Sequence, residues 1–279
     1  MGGVVTGPPS RFATDLASPG RSATRKLSAV RRGGYDDSTP GVEPMPLRDH
    51  FRQPLSRTHP WRAFHGTWAT AMAQQLNDGV LPDGYYAVPF LDRDGPMEID
   101  VAALDSASTA SRQAPMWLAP APTMTLSVDW TTVDEVRVEV HCEDDEPRLA
   151  AAIELVSPSN KDRPKSREAL AAKCVERLRR GCGVVVIDVV TIRSGDFHGD
   201  ILRALDDAEA FGQQHSLLAA SYRSLGRNGN GRLEAWPVAL QIGACLPTLP
   251  LWLGSEFSVP LDLETSYSAA CRGLRMPPE

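Results

Sequence analysis

Two nearly continuous apolar runs, Leu149–Val156 and Val184–Ile192, constrain what this chain can fold into more than any other feature. Each is strand-sized, and each carries one charge, Glu154 in the first and Asp188 in the second. A strand that is apolar on both sides needs cover on both faces, which is the situation inside an α/β sheet. Between the runs, Arg163–Arg180 has helical character and stops at Gly181 and Gly183. A buried strand, a helix and a second buried strand predict a βαβ crossover with parallel strands. The fold class that follows is α/β, a mixed β-sheet with flanking helices.

The remaining elements are read around that unit. Trp61, Phe64, Trp68, Met72 and Leu76 recur at spacings of three and four, the apolar stripe of one helix. Thr58 is its expected N-cap, Pro60 sits where a first-turn proline is tolerated, and Gly79 and Pro82 end it. Tyr85–Leu91 and Met97–Leu104 read as a hairpin around the turn Asp92–Gly95. Strands follow at Met124–Val128 and Val133–Cys142; in the second, valines alternate with charged residues, so one face is wet. Asp200–Gly212 reads as a helix, Leu217–Tyr222 and Leu233–Gln241 as strands, and Leu261–Leu263 opens a last short helix ending near Gly273. Met1–Pro44 is of another kind, rich in Gly, Ser, Thr, Pro and Arg with few large apolar residues. Such a segment cannot bury enough surface to offset the entropy of ordering it. Residues 1–44 are therefore expected to be a disordered extension ahead of a single domain, 45–279, with Met45 as an alternative start.

Composition removes several function classes. No apolar run approaches the length of a membrane-spanning helix, so no membrane partner is expected. The five cysteines are odd in number and form no C-x-x-C pair, which argues against a zinc ribbon or a disulfide framework and suits free thiols in a reducing cytoplasm. The chain holds no H-E-x-x-H, no Walker A loop and no G-x-G-x-x-G. A net charge of −6 means that DNA or RNA would have to be met by a local basic surface. Lys161–Arg180 offers one, with eight cationic side chains against three carboxylates. The alternative for that segment is a solvated helix face.

The motif Ile153–Lys161 (IELVSPSNK), followed by Lys173 and by Gly183–Val190 (GVVVIDVV), is similar to the bacterial domain-of-unknown-function 4058 family. The likeness extends upstream to His59–His65 (HPWRAFH) and Ile99–Val101, and downstream to Trp236–Val238 and Val259–Leu263. That family in turn resembles the Uma-type endonucleases, whose core is of the PD-(D/E)XK, restriction-endonuclease-like type. The resemblance implies an aspartate from one strand, Asp100, a glutamate from the next central strand, Glu154, and a lysine from the crossover helix, Lys173, with Lys161 as its rival. Two positions depart from the nuclease pattern: Ile99 stands where the proline would be, and Val156 where nuclease members keep a lysine.

The implied activity is Mg²⁺-dependent phosphodiester hydrolysis. Asp100 and Glu154 would hold the ion, which prefers oxygen ligands and retains waters. An ammonium, Lys173 or Lys161, would steady the developing charge. The alternative is a catalytically inactive module on the same fold that binds nucleic acid or a protein. Glu154 has two readings in any case. A carboxylate inside a buried strand must be paired, metal-bound or shifted in pKa, so it is either functional or closed by a salt bridge to Lys161 or Lys173. Asp188 can close the sheet end or sit near the cleft. His65, on a helix face shared with Trp61 and Trp68, is a core histidine or a functional one.

Overall fold

The two apolar runs lie side by side in the middle of one sheet. A computed structural model describes residues 44–89, 101–105, 117–128, 148–205, 215–226, 231–255 and 257–277, all within the unit Glu43–Glu279. In chain order the elements are α1 (Leu55–Thr58), α2 (Trp61–Gln75), β1 (Tyr85–Pro89), β2 (Val101–Asp105), β3 (Met124–Val128), β4 (Arg148–Leu155), α3 (Pro158–Asp162), α4 (Pro164–Arg179), β5 (Gly183–Asp188), α5 (Phe197–Ala204), β6 (Leu218–Leu225), β7 (Gly231–Ala239), β8 (Thr248–Trp252), β9 (Ser258–Asp262) and α6 (Leu263–Gly273). Seven strands form a mixed sheet in the order β1-β2-β4-β5-β6-β7-β3, and β8 and β9 pair as a separate hairpin. β4 and β5 are parallel, with Ala151 opposite Gly183 and Leu155 opposite Ile187, and every other pair is antiparallel. The βαβ reading holds, with α3 and α4 as the crossover.

Strand alternation sorts the core into two layers. Ile153, Leu155, Val185 and Ile187 face α2, α6 and the β8–β9 hairpin. Val156, Val184 and Val186 face α4 and α5. The α2 stripe behaves as its spacing predicts: Phe64, Trp68, Met72 and Leu76 are buried. Tyr267 of α6 meets the Phe64 and Trp68 rings edge-on, 5.2 Å between centroids in each case. The helix start differs from expectation. Pro60 is the N-cap of α2, while Thr58 closes the short α1 and donates from Oγ1 to the Pro54 carbonyl at 3.1 Å. That extra turn forms because Leu55 is buried and draws the chain into helix before Pro60.

Local chemistry explains how the central elements stop and meet. α4 ends in a Schellman motif: Cys182 N–H donates to the Arg177 carbonyl and Gly181 N–H to that of Leu178, with Gly181 at φ 83°. Two residues on, Gly183 lets the β8–β9 hairpin lie directly against β5; a Cβ there would stand 2.0 Å from the Trp252 carbonyl oxygen. The outer edge of β1 is closed by Asn77, whose side-chain amide both donates to the Ala87 carbonyl (2.9 Å) and accepts from its N–H (2.8 Å).

The β8–β9 hairpin was not anticipated from the sequence, and α5 starts at Phe197, not Asp200, because Asp196 caps it by accepting from Gly199 N–H at 3.1 Å. The expected hairpin turn Asp92–Gly95, the strand Val133–Cys142 and the far end of the expected helix Asp200–Gly212 lie outside the described residues. Among the described residues no helix is long and apolar enough to cross a membrane.

Candidate functional site

The residues singled out on β4, β5 and the crossover collect on the α4–α5 side of the sheet. Glu154 alternates with Ile153 and Leu155 and so points toward α4. Its side chain is 3% exposed and accepts a hydrogen bond from Arg177 Nη1. Arg177 comes from the last turn of α4 and is 8% exposed. Helix periodicity brings it there: Leu170, Ala171, Cys174, Val175 and Leu178 form the buried stripe, and Arg177 borders it one turn after Cys174. Burial pushes the neighbouring Cys174 thiol well up, and the Glu154 charge adds to that shift.

Lys161 takes a different route into the core. Ser157 and Asn160 cap α3 reciprocally: Ser157 N–H donates to Asn160 Oδ1 at 2.9 Å, and Asn160 N–H to Ser157 Oγ at 3.4 Å. With Pro158 in the first turn, this single turn of helix carries Lys161 beneath the end of β5. There Nζ lies 2.8 Å from Asp188 Oδ2 and donates to the carbonyls of Val190 (3.1 Å) and Ser216 (2.6 Å). An ammonium has three donors, and all three are engaged. The pair is fully enclosed, 0% and 1% exposed. Burial lifts the Asp188 carboxyl to about 6, against the opposing pull of the Lys161 charge.

Farther along the same face, Asp200 of α5 is gripped by Arg167 of α4 (3.0 Å) and by Arg203. His198 pairs through Nδ1 with the Tyr222 hydroxyl at 2.8 Å, and burial lowers the imidazole and raises the phenol. Three of these contacts, Glu154–Arg177, Asp188–Lys161 and Tyr222–His198, cross between the sheet and its helices on this one side, and Arg167–Asp200 ties α4 to α5.

The predicted set is therefore divided. Glu154 is paired, but Arg177 holds it, and neither Lys161 nor Lys173 does. Lys161 belongs to Asp188 instead. Lys173 lies one turn before Arg177 on α4, half-buried. Asp100 lies outside the described residues; the residue after it, Val101, opens β2 opposite Ile153. His65 is partly buried, with Nε2 at 3.2 Å from the Leu155 carbonyl and its ring 5.5 Å from that of Trp61. Arg177 was overlooked in the sequence. The signal for it was present, since it borders the stripe ending in Cys174 and Leu178 more closely than Lys173 does. Among the described residues no three His, Cys, Asp or Glu side chains are grouped so as to hold a metal ion. No protein-family model matches the sequence, and no curated protein or solved structure matches it.

Proposed function

We propose that this chain is a nuclease-like α/β module that works by binding a partner and does not cut nucleic acid. The restriction-endonuclease-like assignment of the core is part of the proposal. It rests on the IELVSPSNK resemblance together with the order of a glutamate-bearing central strand, a crossover helix and a parallel strand.

One observation carries the binding reading. The glutamate that a nuclease would give to its metal is 2% exposed and already neutralised by Arg177. A Mg²⁺ ion keeps several waters and seeks open carboxylate oxygens. A sealed carboxylate against a guanidinium does not suit it. The candidate lysines add support: the Lys161 ammonium has no donor left for a phosphoryl group.

The nature of the partner follows from how the basic segment is spent. Lys161, Arg167 and Arg177 are turned inward onto Asp188, Asp200 and Glu154. Those left outside are Arg163, Lys165, Lys173, Arg179 and Arg180, against Asp162, Glu168 and Glu176, a surplus of two. That is a weak field for tracking phosphates, so a protein partner is favoured over DNA or RNA.

The test is incubation of plasmid and of single-stranded oligonucleotide with Mg²⁺ or with chelator, using wild type and Glu154→Gln. No cleavage in any lane and a melting temperature indifferent to Mg²⁺ are expected. Mg²⁺-dependent cleavage by the wild type that a folded Glu154→Gln protein lacks would overturn the proposal and restore the nuclease reading.

A further inference from the structure

On the opposite side of the sheet, between β7, the β8–β9 hairpin and the stretch Trp117–Pro122, lies a cleft of about 340 Å³. Its floor is built from Arg223 of β6, Trp236 of β7 and Trp252 of β8. The Arg223 guanidinium lies 3.6 Å from the centre of the Trp252 ring, and the two indoles pack 5.3 Å apart. Glu234 fixes Arg223 (2.7 Å) and also takes Arg232 (3.1 Å), so this trio carries one surplus positive charge. The roof is the chain's own WLAPAP stretch, which belongs to no helix or strand and carries prolines at 120 and 122.

The contact between roof and floor has the chemistry of proline-rich peptide recognition. Trp236 Nε1–H donates to the Pro120 carbonyl at 3.0 Å, and Pro120 and Pro122 line the same cleft as both indoles and Arg223. Aromatic grooves that bind Pro-rich segments combine flat rings with indole donors, because proline leaves its carbonyls free and its backbone prearranged. The seating in this chain is incomplete in two independent ways. The cleft itself remains between roof and floor. And the second floor indole, Trp252, is 6% exposed, and its Nε1–H has no acceptor among the described residues. A buried donor without a partner costs about 1–3 kcal/mol. Leu118 of the roof is 90% exposed.

We infer that the Arg223–Trp236–Trp252 groove is a docking site for a proline-rich segment of a partner protein, held in this chain by its own Trp117–Pro122 stretch as an imperfect occupant. A better-fitting segment displaces the stretch and gives the Trp252 indole the carbonyl it lacks. The surplus positive charge favours a neutral or acidic segment over a basic one. This inference rests on the binding reading above and names the partner class.

The test uses a fluorescein-labelled peptide with the sequence of residues 117–122 as probe, and anisotropy as readout, on the whole chain. In wild type the tethered stretch competes at millimolar effective concentration, so the probe should bind weakly. A Pro120→Ala/Pro122→Ala variant should bind it at least tenfold more tightly. Trp252→Phe and Trp236→Phe, which keep the aromatic surface and remove one donor each, should each weaken binding several-fold when introduced into that variant. Should the double-alanine protein not fold, the same two Phe substitutions are read in the wild type at millimolar peptide by NMR shifts of the protein's ¹⁵N-labelled indole N–H groups. Absence of binding by a folded released variant, or binding indifferent to both Phe substitutions, would overturn the groove. The nucleic-acid cleavage assay run on the same preparations keeps the two claims apart: cleavage sinks the binding reading, and a silent peptide titration without cleavage sinks only the groove.

Discussion

The two sides of the central sheet are packed by different physics. Toward α4 and α5 the core is crossed by buried ion pairs, Glu154–Arg177 and Lys161–Asp188. Toward α2 and α6 it is packed with rings: Phe64, Trp68, Tyr267 and His50 lie within 6 Å of one another in a chain of contacts. Rings contribute by area and shape and tolerate some repacking. Buried ions contribute little net stability, but each is expensive once its partner is gone. Both sides have an apolar core, but the charged side should be the more sensitive to the loss of one partner, and the aromatic side the more tolerant of repacking.

The largest effect should come from splitting a pair. Arg177→Ala, which takes the guanidinium away from the buried Glu154 carboxylate, should cost about 3–5 kcal/mol in denaturant unfolding. The double variant Arg177→Met/Glu154→Leu should recover most of that loss. If the double variant is as weak as the single one, the charged side is held by packing and the contrast between the sides fails.

A second effect sets the sides against each other in pH. Asp188 is raised to about 6, so the folded carboxyl takes up a proton more readily than the unfolded one. Its contribution is full below about pH 4 and fades as pH rises through 6. His50, on the aromatic side, is lowered to about 4, chiefly by burial and next by Arg48, against the pull of Asp49. Its contribution is full above about pH 6.5 and is lost as pH falls toward 4. Each should amount to about 3 kcal/mol. Stability differences between wild type and Asp188→Asn, and between wild type and His50→Gln, should thus slope in opposite directions between about pH 4 and 6.5. Slopes of the same sign would show that one of the two groups is not sealed as described.

The smallest effect sharpens how Lys161 reaches its place. Ser157→Ala removes one half of the α3 cap and should cost about 1 kcal/mol. It should also make Lys161→Met less damaging than it is in the wild type, because the cap serves to deliver that side chain. Strict additivity in the double-mutant cycle would separate the cap from the ion pair.

What the sequence disclosed and what it hid follow from range. The βαβ unit was readable because apolar runs and helix-ending glycines are local signals, and β3 spans Met124–Val128 as its pattern indicated. The α2 stripe was readable for the same reason. The β8–β9 hairpin was hidden because Pro250 and Pro260, which face each other in its register, speak against strands when read alone. The site was half readable. That Glu154 and Asp188 need partners follows from burial within their strands. Which cations answer them does not, because α3 and α4 settle that by their rotation against the sheet. A lysine nearest in sequence and an arginine nearest in space compete, and only packing decides. The groove under Trp117–Pro122 was not legible at all, since it joins segments more than 100 residues apart, as the Trp236–Pro120 contact shows.

Arg48 Nη1 donates to the Pro277 carbonyl at 2.7 Å, and Met45 N–H donates to Ser268 Oγ at 3.0 Å. The first described segment of this unit therefore lies against its last, α6 and the residues after it. A short linker could splice them, and new ends could be cut between β6 and β7, leaving every ladder of the sheet intact. The order in which the strands are synthesised would change while the list of who touches whom would not, and such a permuted chain would show whether this architecture depends on where translation begins.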